Sequence, residues 1–156
     1  MEKQLEYEID NLDKKILSLI QADARISFTE IARKFNMTGQ GIHLRIQKLI
    51  NIGVIKGSHY DIDPKMIGYH TCAYIGIFLE KGGQYEQVLK ELEKIPEIIH
   101  CDFTTGNYSI FVKMYTRDNE HLKKILSDQL LKIKGISRTE TIISLEDNIN
   151  RFLPII

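Results

Sequence analysis

Two kinds of apolar spacing divide the chain. Up to Ile50 hydrophobic residues recur three and four apart, as on a helix buried along one face. Ile9, Leu12, Ile16, Leu17 and Ile20 make one stripe, Ile31, Ala32 and Phe35 a second, and Ile42, Ile46, Leu49 and Ile50 a third. Each stripe is preceded by a start signal. Asp10 with Asp13 reads as a capping pair, Ser27 and Thr29 can both cap the second helix, and Thr38 follows the break at Asn36-Met37. Gly53 ends the third pattern, being free to take a left-handed conformation. With residues 1–8 as a lead-in, the pattern predicts a three-helix unit over residues 1–57.

Residues 54–62 alternate loosely, and Asp63-Pro64 is a boundary because the residue before proline avoids the helical region. An extended linker strand is therefore expected over residues 58–68. Beyond it the period shortens. Strand-like runs at 69–79, 98–104, 109–115 and 136–145 enclose helical runs at 84–94 and 119–131.

A shift of 38 residues lays Ile95 to Ile99 over Ile133 to Ser137, Val88 over Leu126 and Leu92 over Leu130. Residues 69–156 thus hold two strand-helix-strand units in tandem. They predict an α+β sandwich of the ferredoxin-like βαββαβ kind, with an antiparallel sheet and both helices on one face. Tyr74, Phe103, Phe111 and several isoleucines then need cover on the other face. A second copy of the domain is the expected cover, which makes the protein at least a dimer.

Composition changes this picture little. The chain has 156 residues, 43% apolar and 27% charged, as in an ordinary folded protein. No apolar run approaches the roughly 20 residues needed to span a bilayer, and the first residues are acidic rather than signal-like. No membrane association and a cytoplasmic location are the expectation. Cys72 and Cys101 show neither metal nor disulfide spacing and read as buried core residues. No metal, cofactor, phosphate loop or nucleophile motif is suggested, so an enzyme is not expected.

Charge matters more locally. The net charge is zero, yet between Arg25 and Gly57 six basic residues (Arg25, Arg33, Lys34, Arg45, Lys48, Lys56) face one acid, Glu30. Such a field suits a polyanion. Two helices joined by a tight turn, the second with Gln40, Leu44, Gln47 and Lys48 pointing outward, make a helix-turn-helix of the winged type. Its third helix would enter a major groove, where Gln pairs with adenine and Arg or Lys with guanine or phosphate. Candidate DNA contacts are Thr38, Gln40, His43, Arg45, Gln47 and Lys48. Arg45 flanks the buried stripe and can equally brace the helices, and His43 can equally pack between them. A small helical core with a merely solvated outer face fits the same pattern.

The chain resembles the Lrp/AsnC family of leucine-responsive, or feast/famine, transcription regulators over nearly its whole length. The resemblance is carried by Leu12-Asp13 with Ile16-Leu17, Asp23-Ala24-Arg25-Ile26-Ser27, Glu30-Ile31-Ala32, and His43 with Arg45-Ile46 and Lys48-Leu49. It continues through Gly53-Val54-Ile55-Lys56-Gly57, Ile95-Pro96-Glu97 and Thr105-Gly106-Asn107-Tyr108. It implies a homodimer extending to an octamer built as a tetramer of dimers, binding of palindromic double-stranded DNA, and a small amino-acid effector held between C-terminal domains.

The implied effector residues are Thr105, Gly106, Asn107, Tyr108 and Ser109, with Thr139 and Thr141 from the last strand. Gly106 permits close backbone approach, and the N–H groups of a tight turn can hold a carboxylate. Read without the resemblance, Gly106-Asn107 is a hairpin turn and the two threonines an exposed strand face. Many members carry Asp at the position of Ser109, and often at that of Asn107. The neutral residues here remove a charged hydrogen bond of about 1.5–3 kcal/mol to an effector's amino group.

Two other functions fit the same scaffold: an architectural DNA-compacting protein, and a relative of the sirohaem decarboxylases. The latter would draw on His59, His70, His100 and His121, which form no cluster in sequence.

Overall fold

The computed structural model describes residues 8–80 and 85–155. These fall into two compact units, one of residues 8–61 with 149–155 and one of Ile62–Asn148.

The first unit holds α1 (Asn11–Ala22), α2 (Phe28–Lys34) and α3 (Gly39–Asn51). Local chemistry sets every start. Asp10 and Asp13 form a reciprocal capping box on α1, the Ser27 hydroxyl accepts from the Glu30 N–H, and the Thr38 hydroxyl accepts from the Gly41 N–H. Thr29 lies within α2 instead. Gly53 takes φ +78° after α3, and the Val54 N–H donates back to the Leu49 carbonyl.

Ile16, Ile31, Ala32, Ile42 and Ile46 form the core of this unit. Ile50, expected on the buried stripe, is 42% exposed. It lies about 80° round the helix from Ile42, at the edge of the buried arc.

No strand forms over residues 58–68. Pro64–Ile67 make a 3-10 turn instead, started by the Asp63 carboxylate accepting from the Lys65 N–H and closed by Gly68 at φ +91°. A single extended segment has no ladder to join within this chain, and Pro64 brings no N–H to one. The end of the chain also differs from the sequence boundary at 69–156, because residues 149–155 group with the helical unit. There Arg151, Phe152 and Ile155 line a cleft of about 840 Å³ with Leu17, Ile20, Phe28 and Ile46.

The second unit runs β1 (Thr71–Leu79), α4 (Tyr85–Leu92), β2 (Ile98–Phe103), β3 (Ile110–Thr116), α5 (Asn119–Asp128) and β4 (Ile136–Ser144). Gln84, read as the start of α4, lies outside the described residues, as do residues 1–7 of the lead-in. The sheet order is β2-β3-β1-β4, antiparallel throughout. Ala73, Ile75, Ile77, Ile110, Val112 and Met114 face Val88 and Leu92 of α4 and Leu122 and Ile125 of α5 in one core. Both helices therefore cover one face.

The alternation of β1 and β3 puts Tyr74, Phe78, Phe111, Lys113 and Tyr115 on the other face. Phe103 is not among them. It pairs with the inward Ile110, and its ring meets Tyr85 of α4 at 4.6 Å. Cys72 and Cys101 are half-buried rather than core residues. Cys101 packs against the core, and burial pushes its thiol pKa up. Cys72, next to the buried Ala73, points to the open face.

Candidate functional site

The charged side of α3 is organised by one arginine. Arg45 sends its guanidinium to Asp10 at 2.7 Å and to Asp13 at 2.8 Å. The same carboxylates close the α1 capping box, Asp13 N–H donating to Asp10 at 2.7 Å and Asp10 N–H to Asp13 at 3.2 Å. Each of the four carboxylate oxygens thereby takes part in this network. The Asp13 side chain is 0% exposed and that of Arg45 30%. The Asp13 N–H and then the Arg45 guanidinium hold the Asp10 carboxyl below its ordinary value, and the carboxylates hold Arg45 well above its own. Arg45 thus braces α3 against the start of α1.

With Arg45 so committed, Gln40, His43, Gln47 and Lys48 form the exposed side of α3. The His43 ring sits 5.6 Å from that of Phe28. Thr38 is exposed while its hydroxyl caps the helix. Sequence reasoning gave Leu44 no role, yet it lies among these residues 61% exposed.

The loop between β2 and β3 is longer than a two-residue turn. The Thr104 N–H donates to the Ser109 carbonyl and the Ser109 N–H to that of Ile77, which leaves residues 105–108 as the loop proper. Gly106 has φ +110°. Thr105, Gly106 and Asn107 are exposed, and among the described residues none of their N–H groups donates to another backbone group. Three such donors in a row suit a carboxylate.

The loop is anchored by Tyr108. Its ring lies on the open sheet face above Gly76, where an added Cβ would come within 2.4 Å of the ring. It packs against Phe78 at 5.2 Å and Phe111 at 5.8 Å, and its hydroxyl donates to Glu140 of β4 at 2.8 Å. That bond pushes the phenol pKa up. Arg138 meets Glu140 at 3.2 Å and lies 3.9 Å over the Phe78 ring. The signal for this anchor in sequence is a glycine inside an otherwise apolar strand, a mark of close approach.

Thr139 and Thr141 do not join the loop within one chain. Pairing opposite Ile77 and Ile75, they point to the helix side of the sheet. β1 separates them from β3, about 10 Å away. The histidines do not converge either. His100 pairs with Asp102 at 3.0 Å and His121 with Glu97 at 3.3 Å, and among the described residues no group of His, Cys, Asp or Glu could hold a metal. No described helix is long and apolar enough to cross a membrane.

A basic helix-turn-helix unit followed by a ferredoxin-like unit with an exposed loop is the plan of a transcription regulator that reads DNA with one domain and a small molecule with the other. Comparison with known proteins agrees: residues 9–56 match the winged helix-turn-helix DNA-binding family and residues 72–152 the Lrp/AsnC ligand binding domain. The chain belongs to the Lrp/AsnC family. It is 40% identical over 145 residues to the regulatory protein AsnC of Haemophilus influenzae, covering 93% of this chain and 97% of that one. AsnC of Escherichia coli is 37% identical, covering 93% and 95%. The solved E. coli AsnC structure superposes with a TM-score of 0.91 at 36% identity, covering 95% and 99% of the two chains. A Neisseria meningitidis regulator solved with L-Met shares the fold, with a TM-score of 0.86 at 19% identity and coverage of 92% and 94%. The chain is a helix-turn-helix transcriptional regulator with a ligand-binding domain.

Proposed function

We propose that the protein binds imperfect palindromes as a dimer or higher oligomer in the cytoplasm, under the control of a small amino acid. Recognition helices of two protomers would then lie about one DNA turn, ~34 Å, apart. The observation that carries this reading is the division of labour on α3: Arg45 is tied down by Asp10 and Asp13, while Thr38, Gln40, His43, Gln47 and Lys48 lie on the exposed side. Lys48 meets phosphate and the two glutamines read bases.

The aromatic open face of the sheet supports pairing of C-terminal units, and the family resemblance supports further closure to octamers. The loop 105–109 takes the effector's carboxylate. The hydroxyls of Thr139 and Thr141 contribute only where a second protomer completes the site. An amino acid can shift the assembly only by binding one arrangement more tightly than another.

Selection of duplexes from a randomised pool, followed by titration, tests the DNA half. Lys48→Ala should weaken all duplexes alike and reduce the salt slope by about 1, whereas Gln40→Ala should relax discrimination at one base pair per half-site. Equal losses on selected and random DNA from both variants would rule out base reading by Gln40. A pool with no enriched palindrome would leave an architectural role.

Thermal shift against each free amino acid tests the other half. One of them should raise the melting temperature, since a ligand at 100 times its Kd adds about 2.7 kcal/mol to the folded state. No response at millimolar concentration from any of them would sink the effector assignment.

A further inference from the structure

We infer that Leu44 is a base-reading residue, packing against the 5-methyl group of a thymine in each half-site; the inference rests on the DNA-binding reading above. The buried stripe of α3, Ile42, Ile46 and Leu49, is 0–5% exposed, whereas Leu44 is 61% exposed. With Ile42 at zero on the helical wheel, Leu44 falls at about 200°, between Gln40 at about 160° and Lys48 at about 240°. It therefore sits near the middle of the outward arc, one turn from Gln40 on one side and from Lys48 on the other.

A single exposed leucine is ordinary on a protein surface. This one stands in a basic segment with a net charge of about +5, on the arc that faces the duplex. Leu44, Arg45, Lys48 and Asp10 line a shallow hollow of about 370 Å³. The negative charge of Asp10 is met there by the Arg45 guanidinium at 2.7 Å. That pairing also withdraws Arg45 from the outward row and leaves no arginine beside Leu44 to take guanine O6 and N7. On the base edges of a major groove, the thymine 5-methyl is the apolar group that a leucine can bury.

The test uses the palindromic duplex selected by the full-length protein, with each thymine of a half-site replaced in turn by deoxyuridine. This removes only the methyl and keeps every hydrogen-bonding edge. For the parent protein replacement of the contacted thymine in one half-site should weaken binding about fourfold, and in both half-sites about fifteenfold, the factor that burying one methyl per half-site supplies. For Leu44→Ala the thymine duplex should bind more weakly, and the same replacement should change nothing further. The exposed position should leave the fold intact, checked by an unchanged melting temperature.

A flat deoxyuridine scan in the parent would overturn the assignment, as would a scan unaltered by Leu44→Ala. Either would leave the DNA-binding reading standing. A parent protein that selects no sequence at all would overturn the assignment together with the sequence-specific reading it rests on, and leave the architectural role.

Discussion

Arg45→Ala is expected to loosen the helical unit by about 2 kcal/mol. Breaking a buried ion pair costs about 3–5 kcal/mol, and the partial exposure of this arginine takes the figure down. The charge at stake is Asp13, whose side chain is 0% exposed. Amide hydrogen exchange is the direct measurement. Protection across Asn11–Ala22 and Gly39–Asn51 should fall about thirtyfold, the equivalent of 2 kcal/mol, while the amides of β1 and β3 hold theirs.

Acid should narrow the gap between variant and parent. The Asp10 carboxyl is held below its ordinary value of 3.8, so its contribution is present above that pH and is lost as pH falls through the lowered folded value. DNA affinity should also drop, but with the salt slope of the parent, which separates a brace from a phosphate contact. A reduced salt slope with unchanged exchange would put Arg45 on the DNA instead.

The second large effect is expected at Gly76→Ala. The new methyl cannot share space with the Tyr108 ring, whose nearest atom would be 2.4 Å away. The ring must leave the sheet, at an overpacking cost of about 1–3 kcal/mol. Its phenol, raised by the bond to Glu140, should then titrate closer to the ordinary value of 10.0, read as the difference from a Tyr108→Phe variant. Because that bond needs the protonated phenol, its contribution is complete below pH 10 in the parent and disappears as pH rises through the raised value. The loop should lose its anchor as well, and with it any amino-acid thermal shift. Parent-like melting and titration would show that the ring does not rest on Gly76.

Local chemistry explains why so much was legible in advance. A cap acts over three residues, so Asp10, Ser27 and Thr38 declare their helices within a single turn. The left-handed Gly53 and the strand-helix-strand repeat are equally short-ranged signals. Arg45 finds its partners 32 and 35 residues away, and Tyr108 reaches Glu140 across 32, separations that no periodicity encodes. The linker failed as a strand because a strand is defined by its neighbour. Phe103 and the two threonines of β4 were grouped by residue type, whereas their side is set by register. Leu44 was placed on the outward row by the helical period but given no role, because a single exposed leucine is ordinary on a protein surface.

The double use of the first two aspartates limits what can replace them. A glutamate at Asp10 would carry its carboxylate one methylene beyond the N-cap position, and at Asp13, where a capping box accepts glutamate, the extra methylene would displace the carboxylate that Arg45 meets at 2.8 Å. Asparagine would keep the shape but offer an amide nitrogen where an acceptor is needed. Drift at this corner of the molecule is therefore restricted, and on the proposed reading a DNA-binding defect would arise from codons 35 and 32 positions before that of Arg45.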